Sequence, residues 1–185
     1  MSPRLRLLIL VVFCFALPPM PSIAHDGPAV LTIVGAIEKT NRGPLDPFRD
    51  ALLARLVDPF EKAYRVTADD LAAMPQQIVT ARYQDWPGDP HVFRGPLVGD
   101  LLALVKARGT KVTVMGIDGY SAQYERAVLE KAGFILALQM DGEPLDLGGF
   151  GPVWLMVSPD AEPAVPDGKP TDSGLVWSAF YLLVE

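Results

Sequence analysis

The chain has 185 residues, half of them hydrophobic, with 16 basic against 22 acidic side chains, a formal net charge of −6 and a single cysteine. Its basic residues are scattered, which argues against nucleic acid or anionic lipid as a partner, because phosphate binding needs concentrated Lys and Arg.

Arg4 and Arg6 precede the apolar run Leu7–Leu17, followed by prolines and the small-residue end Ser22-Ile23-Ala24. This order predicts a secretory signal over residues 1–24, cleaved after Ala24, since the run is about half of the ~20 residues a spanning helix needs. The expected mature chain is a single domain over residues 25–185, periplasmic in a Gram-negative source and not inserted in the membrane. Cleavage would remove Cys14, leaving no thiol for a disulfide or a metal.

Val30–Gly35 is β-branched and predicts a strand near the mature N-terminus. Asp46 is placed to cap a helix opening at Pro47, with Phe48, Ala51, Leu52 and Leu56 at helical spacing behind it. A shorter helix is expected from Thr67, with Asp70 three residues on and Pro75 ending it. Ile78–Tyr83 reads as a strand. Val98, Leu101, Leu102 and Val105 mark a helix expected to close near Gly109.

Strands Lys111–Met115 and Tyr120–Tyr124 flank Asp118-Gly119, a dipeptide suited to a tight hairpin turn. Ile135–Met140 is a further strand with a second such turn at Asp141-Gly142, and Val153–Val157 and Val176–Val184 follow. Pro159, Pro163, Pro166 and Pro170 define a long loop that cannot join a sheet. The order predicts an α+β domain dominated by sheet.

Ionisable residues offer little chemistry. His25 lies at the expected new N-terminus and His91 in the loop after Trp86; no Gly-x-Ser-x-Gly pattern partners His91 in a hydrolase. Two histidines without thiols do not make a zinc set. The aromatics point further. Trp86 sits among Gln84, Asp85, Pro87 and Gly88, where no periodicity requires it, and loop aromatics often face ligands. Trp154 follows Gly151-Pro152 and is expected at a sheet end, whereas Trp177 is expected in the core. Arg82, beside the Trp86 loop, is suited to donate paired hydrogen bonds to an oxygen-rich ligand.

Six segments, Leu31–Ile37, Leu71–Gln76, Phe93–Leu102, Asp118–Tyr120, Leu136–Leu145 and Gly151–Trp154, together resemble the sulfite-oxidase-type molybdopterin-binding domain in its small bacterial members. The resemblance implies a mixed β-sheet domain with peripheral helices and a pterin held in a loop-lined cleft. Enzymes of that family hold molybdenum through a cysteine after the strand matching Ile78–Arg82, where this chain has none. They carry a cofactor-binding arginine shortly after the Gly-Pro pair, where this chain has Trp154. Losing a thiolate and a guanidinium removes a metal ligand and an anion clamp together.

Small secreted relatives of this kind include periplasmic pterin-binding proteins that act on the sensor domain of a membrane cyclic-di-GMP enzyme. The resemblance therefore implies a non-catalytic pterin binder with no redox cofactor and no metal, with Trp86 and Trp154 stacking and Arg82, Asp118 and Tyr120 in polar or supporting contact. Turn chemistry alone also accounts for Asp118-Gly119. Two alternatives stand beside it: a molybdopterin-dependent oxidoreductase with non-cysteine ligation, and an interaction module without ligand in which Trp86 is buried.

Overall fold

The computed structural model describes residues 27–82, 88–161 and 175–185. The expected strand after Val30 forms as β1 (Ala29–Gly35). Asp46 does act as a cap, its carboxylate accepting from the Phe48 and Arg49 N–H groups at 2.9 and 3.0 Å. The residues behind it form turns, however, and only Leu53–Leu56 close as helix α1. The anticipated apolar stripe does not pack: Phe48 is 91% exposed and Leu52 is also exposed, while Leu53 is buried. Neighbouring helical positions point about 100° apart, so adjacent leucines leave the buried one undetermined.

Strand β2 (Tyr64–Thr67), not anticipated, runs antiparallel to β1. Its last residue caps α2 (Ala68–Ala73) through the expected capping box, with Thr67 and Asp70 each satisfying the other's backbone N–H. Strands β3 (Gln76–Ala81) and β4 (His91–Pro96) form an antiparallel ribbon, so His91 begins a strand instead of lying in a loop. Helix α3 (Val98–Leu104) follows. Its left-handed closing residue is Lys106, φ 52°, and not Gly109. Ala107 N–H bonds to Leu102 O at 2.9 Å and Lys106 N–H to Ala103 O at 3.1 Å, the paired bonds of a Schellman end. Gly109 is needed for a different reason: a Cβ there would lie 2.1 Å from the Glu185 carbonyl oxygen.

Strands β5 (Lys111–Gly116) and β6 (Ser121–Glu125) form the expected hairpin. Helix α4 (Arg126–Ala132) was not foreseen. The single strand expected over Ile135–Met140 is two, β7 (Ile135–Ala137) and β8 (Gln139–Met140). Between them Leu138 N–H turns to Arg94 O at 2.8 Å, passing the chain from one sheet to another. Asp141-Gly142, both at positive φ, join β8 to β9 (Glu143–Pro144) as their turn chemistry predicts. Strands β10 (Trp154–Met156) and β11 (Ala179–Val184) complete the order.

The largest sheet runs β2-β1-β11-β5-β6, with β1 and β11 parallel and the other pairs antiparallel. A four-stranded sheet β3-β4-β8-β9 and the pair β10-β7 complete the layers. Leu31, Ile33, Val112, Val114, Leu182 and Val184 project from one face of the large sheet into the main core, with Phe93, Leu101, Leu102, Leu129 and Trp154. Val34 and Tyr181 project from the other face into a smaller cluster with Leu53 and Ala63. The protein is an α+β fold of mixed sheet with short peripheral helices, as the sequence led us to expect.

Candidate functional site

A band of rings crosses one side of the molecule. It starts at the end of the β3–β4 ribbon, where Ala81 pairs with His91 and Arg82 follows. The His91 ring lies 6.4 Å from Phe93, and Phe93 meets Trp154 edge to face at 5.2 Å. Phe150 stacks on Trp154 at 4.5 Å with 19° between the planes, and Trp177 stands edge-on to both, 5.0 Å from Phe150 and 6.2 Å from Trp154. Edge-to-face and offset-stacked pairs are the arrangements that ring quadrupoles favour, so each ring fixes the next.

The backbone under this band is stitched across three segments. Leu155 N–H bonds to Val176 O at 2.9 Å, Ala179 N–H to Val153 O and Ser178 N–H to Phe150 O, both at 2.8 Å. The buried Ser178 hydroxyl donates to Gly151 O at 2.7 Å. Ile117 N–H bonds to Ser178 O at 3.2 Å, which sets the β5–β6 turn beside Trp177. Within that turn Asp118 accepts the Tyr120 N–H at 2.9 Å, and Gly119 N–H bonds to Gly116 O at 2.9 Å. Only Gly119 has positive φ there, so Asp118 serves the turn through its side chain and not through a left-handed backbone.

The residues singled out from the sequence fall in different places. Asp118 and Tyr120 are exposed on the turn next to Trp177. Arg82 is exposed at the far end of the band, and its guanidinium makes no hydrogen bond or ion pair among the described residues. Trp86 lies outside the described residues. Trp154 is not at an open sheet end: it is 0% exposed, with Phe150 over one face and Phe93 and Trp177 at its sides, so it has no face for a ligand. Trp177, expected in the core, is instead 45% exposed and offers the accessible indole. The residue pattern of a strand did not reveal this, because Trp177 stands two residues before β11 begins.

His91 was also passed over as a loop residue. Its Nδ1 lies 2.6 Å from Asp141 Oδ2, while Asp141 Oδ1 accepts the Val92 N–H at 2.9 Å. The Val92 N–H first, and then His91, hold the Asp141 carboxyl below its ordinary value. The pair ties the β8–β9 turn to the mouth of the β3–β4 ribbon.

The molybdenum site implied by the sequence resemblance does not fit these residues. Among the described residues no three His, Cys, Asp or Glu side chains gather as a metal site, and the only cysteine in the chain is Cys14. Where the family carries its arginine, this chain buries an indole.

Fold and site together define a sulfite-oxidase-like α+β domain with a partly exposed aromatic rim. No family model and no curated relative matches the chain. Among solved structures, the crystal structure of the sulfane dehydrogenase SoxCD from Paracoccus pantotrophus is similar, with a TM-score of 0.56 at 18% identity, covering 83% of this chain. The match spans 37% of that chain, and at this identity it shows a shared fold alone.

Proposed function

We propose that the protein is a non-catalytic, periplasmic pterin-binding protein, whose occupancy is read by the periplasmic domain of a membrane cyclic-di-GMP enzyme. The observation that carries the binding reading is Trp177, a half-exposed indole braced by Phe150 and Trp154 beside the Asp118–Tyr120 turn. A pterin is a flat heterocycle with an amide and amino edge. Trp177 supplies a stacking face and Asp118 an acceptor for ring N–H groups, while Arg82, at the far end of the band, does not reach this ring. The absence of any cysteine after Cys14 supports binding without molybdenum chemistry.

Stacking of a base-like ring on an aromatic side chain contributes about 1–3 kcal/mol. Calorimetric titration with oxidised and tetrahydro forms of 6-substituted pterins is therefore expected to show saturable binding that Trp177→Ala weakens about ten-fold or more. No heat and no tryptophan quenching up to about 1 mM pterin would end this reading. A molybdopterin-dependent oxidoreductase with non-cysteine ligation draws support from the likeness to a dehydrogenase. Stoichiometric molybdenum in protein purified from its native compartment would establish that second reading in place of the first.

A further inference from the structure

The face of the five-stranded sheet turned away from the main core is only partly covered. Between it and the segment Arg55–Phe60 lies a cleft of about 520 Å³, floored by Val34, Met115 and Leu183. Small-molecule sites typically span about 300–1,000 Å³. The outer wall is braced: Val57 N–H bonds to Leu53 O at 2.9 Å and Leu45 N–H to Phe60 O at 3.0 Å. The Phe60 ring is covered by the Arg42 guanidinium at 5.2 Å, and Arg42 is itself paired with Asp50.

Three polar groups of this cleft are unused. Tyr181 is 5% exposed and lines it, yet its hydroxyl makes no hydrogen bond among the described residues. Burial, then the charges of Asp58 and Glu185, push that phenol up to about 12, so it remains a hydrogen-bond donor. The hydroxyl oxygen itself opens into the cleft, where a ligand acceptor would take the place of water. Arg55 and Asp58, three residues apart on the wall, form no side-chain hydrogen bond or ion pair among the described residues.

We propose that this cleft is a second binding site, for a small amphipathic zwitterion, of which a free α-amino acid with an apolar side chain is the simplest case. The apolar body rests on Val34, Met115 and Leu183; the carboxylate faces Arg55 and accepts the Tyr181 hydroxyl; the ammonium faces Asp58. One cation, one anion and one neutral donor around an apolar floor match that ligand better than a simple acid, which Asp58 repels, or a simple amine, which Arg55 repels. The cleft lies on the opposite face of the large sheet from Trp154, and although its lining residue Leu56 reaches Gly119 of the Asp118–Tyr120 turn, Val34 and Leu183 report on the cleft and Trp177 on the pterin site.

The test is amide-resolved NMR titration of the protein with L-leucine and L-phenylalanine, with N-acetyl-L-leucine and L-leucinamide as single-charge controls. Saturable shifts at Val34, Met115 and Leu183 are expected, about five-fold or more weaker for either control. Tyr181→Phe removes a hydroxyl with no partner in the fold, so it should not lower the melting temperature. It should nevertheless weaken leucine about five-fold, and Arg55→Gln and Asp58→Asn should weaken it at least as much. The proposal is overturned by absence of saturation up to about 10 mM, by shifts confined to Trp177 and Tyr120, or by unchanged affinity in the three variants. Pterin titration of the same samples reports on Trp177 separately, so either site can fail alone.

Discussion

Asp141 works through both carboxylate oxygens, one on the Val92 N–H and one on His91. Its folded pKa lies below the ordinary 3.8, first through the Val92 N–H and then through His91. A carboxyl depressed on folding contributes stability that is complete above its unfolded value and is lost as pH falls through the folded one. Asp141→Asn keeps an acceptor for Val92 and a residue tolerant of φ 53°, and removes the charge. The variant is expected to unfold at lower urea than the parent at about pH 6, and the gap should close as pH falls through the folded value, below the ordinary 3.8. A gap of constant size across that range would show that charge is not what Asp141 contributes. The same scale shows where residue type misleads. Trp154 opens β10 and Trp177 stands just before β11, yet one is sealed under Phe150 and the other lies half open. Exposure depends on which rings meet across segments far apart in the chain, and no local pattern carries that.

At the scale of elements, the capping box of α2 is a signal that sequence and structure share in full. Thr67 accepts the Asp70 N–H at 3.1 Å while Asp70 accepts the Thr67 N–H at 2.8 Å. Thr67→Ala should cost about 1 kcal/mol and lower the melting temperature by about 2–4 °C, whereas Thr67→Ser should recover most of it. Equal loss in both variants by scanning calorimetry would point to the buried Thr67 methyl instead of the cap. Turns were legible for the same reason: Asp141-Gly142 carries its geometry in its own two residues. Strands β2 and β4 were not, because Tyr64–Thr67 is short and half-buried, and His91–Pro96 contains glycine and proline that read as loop. Helix α4 escaped notice because of its seven residues only Leu129 is buried, too few to make an apolar stripe. The helix expected after Asp46 failed in the opposite way, with a stripe present and no partner for Phe48.

For the whole molecule, the decisive pairing joins the two ends of the described chain: β1 runs parallel to β11, with Thr32 opposite Tyr181. Periodicity cannot reveal a contact of that sequence separation, and this pairing was not anticipated; the α+β class was legible from the order of the elements, and the mixed sheet from the segments that resemble a known domain. The candidate site was legible only in part for a related reason. Asp118, Tyr120 and Trp154 belong to the resembling segments, but Trp177 enters from the C-terminal approach to β11, which those segments do not reach. A ligand that binds the folded state alone raises stability by about 2.7 kcal/mol at a hundred times its dissociation constant. For a chain of this size that is a rise of roughly 5–10 °C in melting temperature. Saturating pterin is expected to produce that rise, and chelation of divalent metal should leave it unchanged. Trp177→Ala should melt close to the parent without ligand and lose most of the rise. Trp154→Ala should be destabilised by about 3–5 kcal/mol with or without pterin, as removal of a fully buried indole requires. If Trp177→Ala kept the full rise, the pterin would be bound away from the aromatic rim, and the assignment of the site would fall while the fold stood.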